Sequence, residues 1–246
     1  MIAVTRPAPP DVLQRLGARW SSALRAANDE LEQVENDPQS TPQRIRRAKK
    51  RKRDAQNKYR HREIKDALVA AFHGKCAYCE SQIRAVSYGH IEHFYPRSVY
   101  VDKTFEWDNL LLSCEICNDA GHKGDRFPLD ADGNPLLIDP TDGVTEPSDH
   151  LKFSWDPRVG LACVYGLDEQ GREVVHTFDL NGFRGRDALL RERSRYFKKL
   201  WAILKWYEQR GGEDEEAWAI LQEACQPDAP YSAFALIHIA PRILST

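Results

Sequence analysis

The sequence predicts an α+β protein in which a compact, metal-held core lies between helical arms. Three observations predict it. Four of the six cysteines form two Cys-x-x-Cys pairs, Cys76/Cys79 and Cys114/Cys117. The segment from Lys75 to Pro128 is dense in Cys, His, Gly, Asn and aromatic residues but has only short apolar runs. That is too little apolar mass to fold unaided, so a structural metal is expected. On either side, apolar residues recur at helical spacing. The shifts in composition divide the chain into a helical arm with a basic stripe (1–72), the core (73–140), and short strands followed by helices (141–246).

Along the first arm, Pro7, Pro9 and Pro10 precede Asp11, a helix N-cap candidate, and Leu13, Leu16, Trp20, Leu24 and Leu31 follow at helical spacing. The stretch Asn36 to Thr41 contains Pro38 and is expected to turn. A second, long helix is expected from Pro42 to Phe72, with Tyr59 and Leu68 on its inner side and Gly74 at its exit. Beyond the core, Leu161 to Tyr165 and Glu173 to His176 are strand candidates, with Asp168-Glu169-Gln170-Gly171 as a hairpin connection. After Gly185 the apolar stripe Leu189, Leu190, Phe197, Leu200, Trp201 and Leu204 predicts a helix that breaks at Gly211-Gly212. Two shorter helices are expected around Trp218 and Phe234.

With 246 residues, 41% hydrophobic and 29% charged, the chain has the balance of a soluble protein. No apolar run approaches the ~20 residues of a membrane span, and the first ten residues lack the pattern of a secretory signal. A cytoplasmic location without membrane partners is expected. The net charge is only -2, but charge is segregated: between Arg44 and Arg53, eight of ten residues are Lys or Arg. Such a stripe can steer a phosphate backbone, or it can be the solvated face of a helix with acidic partners elsewhere.

In a reducing compartment, paired cysteines read as metal ligands before disulfides. The two-residue gaps let both thiolates of each pair reach one ion, and four sulfurs suit tetrahedral zinc, with iron as the minor alternative. All-sulfur coordination leaves no open position, so this metal is expected to brace the fold. Cys163 and Cys225 stand alone.

Between and beyond the pairs lie Gly89-His90-Ile91-Glu92-His93-Phe94-Tyr95-Pro96-Arg97, Trp107-Asp108-Asn109-Leu110, Cys117-Asn118 and His122-Lys123-Gly124-Asp125. These side chains could serve a phosphodiester hydrolase. A neutral imidazole can take a proton from water. A carboxylate can hold a hard divalent ion, with an amide or second imidazole completing an open shell. His90 shares the strand face of Glu92 and could meet substrate, metal or core; Arg97, Lys123 and Arg126 could meet phosphate. One tension remains, because adjacent residues on a strand point to opposite faces. Glu92 and His93 share a pocket only where the strand twists or ends.

The order Glu92-His93, then Asn109, then Asn118 with His122 four residues on, interleaved with the cysteine pairs, resembles the HNH endonucleases. That resemblance implies a ββα-metal nuclease core, two strands and a helix clamping one metal, braced by the four-cysteine zinc site. By it, His93 is the general base on the first strand and Glu92 the preceding metal ligand. Asn109 orients His93 through its side-chain amide. Asn118 opens the helix beside the knuckle as a second ligand, and His122, one helical turn later, is the third. The catalytic ion would be Mg²⁺ or Mn²⁺. The pair Glu92-His93 would lie where the hairpin meets its loop.

Further motifs narrow the resemblance: Lys75-Cys-Ala-Tyr-Cys-Glu80, Trp107-Asp-Asn-Leu-Leu-Leu-Ser-Cys114, Lys123-Gly-Asp-Arg-Phe-Pro128 and Leu137-Ile-Asp-Pro140. They resemble the HNH components of Septu-type antiphage systems, also found beside retrons, which pair with an ABC/SMC-like ATPase. The stretch Asn118 to Lys123 is looser than the Asn-x-x-Lys of many relatives. The function implied is DNA cleavage in antiphage defence. RNA cleavage, including tRNA, is a second reading because the chemistry needs no 2′-hydroxyl. A third is an inactive, zinc-braced module that binds a partner or nucleic acid. No Gly-rich Lys-Ser/Thr phosphate loop is present, so any ATP hydrolysis falls to another protein.

Overall fold

A computed structural model describes residues 1–83 and 87–244 of the chain. They are mixed helix and strand, and fall into two compact units that interleave along the sequence. One comprises Arg6–Ala71 and Ile91–Leu112; the other comprises Met1–Thr5, Phe72–His90 and Ser113–Thr246.

In the first of these units, α1 (Asp11–Asn36) starts behind Pro10 and buries Leu13, Gly17, Trp20, Leu24 and Val34 along one face. Each fully buried aliphatic or aromatic side chain here contributes about 1.5–3 kcal/mol. After the turn, α2 (Pro42–Gln56) opens on Thr41, whose hydroxyl accepts from Arg44 N at 3.3 Å, with Pro42 in the first turn. The continuous helix expected to Phe72 is interrupted. A 3-10 turn over Asn57–Arg60 and an extended His61 separate α2 from α3 (Arg62–Ala71). The break has a tertiary cause, since it rotates Tyr59 into the interior, where it is 5% exposed. Helix α3 then supplies Ile64 and Leu68 to the same core.

β1 (His90–His93) and β2 (Leu110–Ser113) pair in a two-stranded sheet, and all four β2 residues are buried. The loop between them is wound into 3-10 turns at Val101–Phe105 and Trp107–Asn109. Trp107 Nε1 donates to Pro7 O at 2.8 Å, and Arg6 Nη1 donates to the carbonyls of Trp107 and Leu110 at 2.7 Å each.

In the other unit, positive φ at His73 and Gly74 turns the chain out of the helical arm. α4 (Glu115–Asn118) is a single turn, and α5 (Pro147–His150) leads into β3 (Leu151–Asp156). Strand β3 pairs antiparallel with β4 (Leu161–Gly166), Leu151 opposite Gly166 and Asp156 opposite Leu161. The hairpin is thus formed upstream of Asp168. The expected strand at Glu173 to His176 is instead part of helix α6 (Glu169–Thr177), capped by Asp168, whose carboxylate accepts from Gly171 N at 2.8 Å. Gly171 serves close packing: a Cβ there would lie 1.9 Å from His150 O.

The predicted stripe forms α7 (Asp187–Gln209), which ends where Gly211 and Gly212 adopt positive φ. α8 (Glu215–Ala224), α9 (Ser232–His238) and α10 (Ala240–Ile243) complete the unit. Its aromatic core joins Phe153, Trp155, Phe197 and Phe234, with ring centroids 5.2–5.8 Å apart in edge or tilted contacts. Cys163 and Cys225 are half-buried. Among the described residues, no helix is long and apolar enough to cross a membrane.

Candidate active site

Strand β1 ends at His93, so Glu92 and His93 occupy a strand terminus, and both are buried at 4% and 5% exposure. The strand ends here, so strict alternation no longer dictates the face that His93 takes. His90, at the start of the strand, is exposed. The His93 ring meets Tyr59 edge-on, with centroids 4.7 Å apart. Its Nε2 lies 3.1 Å from Thr104 O. A carbonyl can only accept, so Nε2 carries the proton and, in the neutral ring, Nδ1 keeps the lone pair. That is the tautomer a general base requires.

Asn109 does not hold the imidazole directly. Its Oδ1 accepts from Tyr95 N at 2.7 Å, and Nδ2 donates to Tyr95 O at 3.1 Å and Lys103 O at 2.9 Å. The amide ties the two ends of the loop together. Lys103 immediately precedes Thr104, so Asn109 positions the carbonyl that orients His93. The hydrogen bonds of the Asn109 amide therefore run to the loop backbone beside His93. Sequence spacing named the residue but could not distinguish these partners.

Among the described residues, one group of His, Cys, Asp or Glu side chains converges closely enough for a metal ion: Cys76, Cys79, Cys114 and Cys117. Their sulfurs lie within 4.8 Å of one another, and Cys79 Sγ is 3.9 Å from Cys114 Sγ. A tetrahedron with ~2.3 Å zinc–sulfur bonds needs sulfurs ~3.8 Å apart, so the cluster is compatible with zinc. Cys117 N donates to Cys114 Sγ at 3.4 Å, which makes Cys114 both ligand candidate and cap of α4. Hydrogen bonds from Cys114 and Cys117 hold the Cys79 thiol well below its ordinary range, whereas burial pushes Cys117 up.

One partner of this cluster carries no motif in the sequence. Arg186 is buried, and its Nη1 donates to Cys117 Sγ at 3.1 Å and to Phe178 O at 2.7 Å. Its Nη2 approaches Cys114 Sγ at 3.5 Å. Burial works against the guanidinium charge, but Cys117, Cys79 and Cys114 outweigh it and raise its pKa. A four-thiolate zinc site would carry two excess negative charges, and this cation would offset part of them.

Asn118 and His122 follow the knuckle but do not share a helix face. Asn118 is the last residue of α4 rather than its first, and Asp119 is extended with ψ 166°. The Asp119 carboxylate organises the turn beyond: Oδ1 accepts from Gly121 N at 2.7 Å and His122 N at 3.0 Å, and lies 3.0 Å from His122 Nδ1. Burial would raise the pKa of Asp119, but His122 and these amides lower it. With Nδ1 given to a carboxylate, His122 presents Nε2, the arrangement common among metal-binding histidines. Lys123 is fully buried, which removes it as a surface phosphate contact; Arg126 is exposed. Glu92, His93 and Asn109 belong to one compact unit, Asn118 and His122 to the other.

Residues 76–124 match the family model described as HNH endonuclease, so an HNH endonuclease domain lies in this part of the chain. The chain is similar to the Septu protein PtuB of Bacillus mycoides (strain KBAB4), 34% identical over 167 residues that cover 58% of this chain and 53% of that protein. It is also similar to the Septu protein PtuB of Bacillus thuringiensis, 38% identical over 120 residues, 48% of this chain and 41% of that one. The chain thus spans about half the length of the curated relatives it matches.

Proposed function

We propose that this chain is a metal-dependent endonuclease that hydrolyses DNA phosphodiester bonds, and that it acts in antiphage defence beside a partner ATPase of the ABC/SMC kind. The observation that carries the chemistry is the 3.1 Å approach of His93 Nε2 to Thr104 O. Nε2–H donates to Thr104 O, so Nδ1 is the basic nitrogen. Nδ1 takes a proton from water as the water oxygen bonds to phosphorus and the bond to the leaving oxygen breaks. Asn109 and Tyr59 keep the ring in place, one through the loop carbonyls and the other through ring packing.

Glu92 would supply a carboxylate to the divalent ion, a ligand that suits Mg²⁺ or Mn²⁺ with water in the remaining positions. In the other unit, the Asp119–His122 contact leaves the His122 imidazole able to ligate a metal beside Asn118. The ion supplies charge to offset the leaving oxygen. Zinc on Cys76, Cys79, Cys114 and Cys117 braces the fold. The biological setting rests on the similarity to the two Septu PtuB proteins.

The test pairs DNA and RNA of matched sequence with the purified protein, with and without the candidate ATPase, in Mg²⁺, Mn²⁺ or EDTA. DNA cleavage that EDTA abolishes supports the reading. Cleavage of RNA alone reassigns the substrate. Stoichiometric binding without cleavage of either, in every metal and with the partner present, leaves a binding module.

A further inference from the structure

Helix α2 gives one fully buried side chain to the core, Ala48, and its cations divide into two sets. Those beside α1 are neutralised within the chain. Arg44 pairs with Asp37 at 2.6 Å, Lys49 with Glu35 at 2.8 Å and Arg51 with Glu30 at 3.1 Å. Lys52 is half-buried in a crevice that Glu32 and Glu35 also line. Arg46, Arg47, Lys50 and Arg53 are exposed and have no ion pair among the described residues.

Arg46, Lys50 and Arg53 stand at i, i+4 and i+7, one stripe on the side of the helix away from Ala48, with Arg47 flanking it. The stripe is about 10 Å long at ~1.5 Å per residue. Phosphates on one strand of a duplex recur every ~3.4 Å along the axis, so it spans about three of them. The rest of this face, Gln43, Asp54 and Asn57, is polar. A protein partner would need an apolar, charge-poor centre to its interface, and this face has none. Like charges at i, i+4 oppose the helix they sit on, and a polyanion removes that opposition.

We propose that the outward stripe of α2 tracks the phosphate backbone of the nucleic acid presented to His93, an inference that rests on the nuclease reading above. The chain itself links the two features within one compact unit. Directly after α2, the turn Asn57–Arg60 delivers Tyr59 to the His93 ring. The guanidinium groups of Arg60 and Arg97 lie 5.6 and 5.2 Å from the Tyr59 centroid. Cations therefore continue from the helix to the residue that packs on the imidazole.

The test uses the full chain carrying His93→Ala, so that bound substrate stays intact. Binding to a fluorescein-labelled 20-base-pair duplex is measured by anisotropy from 50 to 200 mM salt. Arg46→Gln, Lys50→Gln and Arg53→Gln are then added together. Gln has nearly the helix propensity of Arg and Lys, so the melting temperature should hold or rise. Each lost phosphate contact lowers the slope of log K against log salt by ~0.9, so the triple variant should lose about 2–3 units and bind more weakly. Arg158→Gln, which removes an exposed cation already paired with Asp156 at 3.3 Å, should leave the slope unchanged. An unchanged slope in the triple variant, or no salt-dependent binding by its parent, overturns the proposal. If the slope falls as expected but the protein with His93 intact never cuts the bound duplex, the stripe stands and the nuclease reading fails.

Discussion

Replacing Arg186 by Met preserves most of its volume while removing its charge and its donors. Cys117 Sγ and Cys114 Sγ lose approaches of 3.1 and 3.5 Å, and Phe178 O loses a donor at 2.7 Å. Loss of such an outer partner typically lowers metal affinity 10–100-fold, which is about 1.4–2.8 kcal/mol at ~1.4 kcal/mol per decade. The deprived carbonyl adds about 1–3 kcal/mol of instability. Arg186→Lys keeps the charge but not the fork, and should fall between Met and the parent protein. Zinc affinity is read by competition with a chromogenic chelator, and stability by the thermal midpoint. Wild-type zinc affinity in Arg186→Met would refute the electrostatic role. A lowered midpoint alone would reduce Arg186 to packing.

Four further outcomes follow from the geometry. Asn109→Ala should lower cleavage by roughly 10² through loss of His93 orientation, the scale of general-base catalysis, with zinc content unchanged; measured rate and metal content together decide it. Lys75→Met removes one of the two cations against buried Glu80, Lys75 Nζ at 3.2 Å, leaving the Met1 ammonium at 2.9 Å. It should cost about 3 kcal/mol, the low end of the ~3–5 kcal/mol for breaking a buried pair, and an unchanged denaturation midpoint would contradict this. Gly171→Ala forces a Cβ to 1.9 Å from His150 O and should destabilise by roughly 3 kcal/mol or more, visible as a large fall in melting temperature. His238 has a lowered pKa: burial depresses it and Arg242 adds to this, while its hydrogen bond to Phe153 O opposes them. A fold that prefers neutral imidazole keeps this contribution above the unfolded value of 6.5 and loses it as pH falls through the folded one. The melting temperature should thus drop more steeply below pH 6.5 in wild type than in His238→Gln.

Much of this arrangement was legible in the sequence because it rests on local spacing. The cysteine knuckles, α1, the stripe of α7 and the Gly211-Gly212 stop each follow from residues a turn or less apart. The failures share a different physics. Asp168 and Gly171 carry signals for a hairpin and for a helix cap alike, and the close approach of His150 O, which requires a glycine, is invisible along the chain. The break at Asn57–Arg60 follows from Tyr59 packing on His93, a tertiary demand that overrides helical periodicity. Asp119 ends α4 before His122, so four-residue spacing misled where the helix is only one turn long. Arg186 lies far from both cysteine pairs in sequence, and only the folded chain brings its guanidinium to the thiols.

On the proposed function, His93 is the base and the cysteine cluster the brace. Single-turnover cleavage of a DNA duplex in Mn²⁺ by His93→Ala, compared with wild type at equal zinc content and equal melting temperature, tests it most directly. Binding should persist while the rate falls by roughly 10² or more. Cleavage by His93→Ala at the wild-type rate, with the same metal dependence, would contradict it.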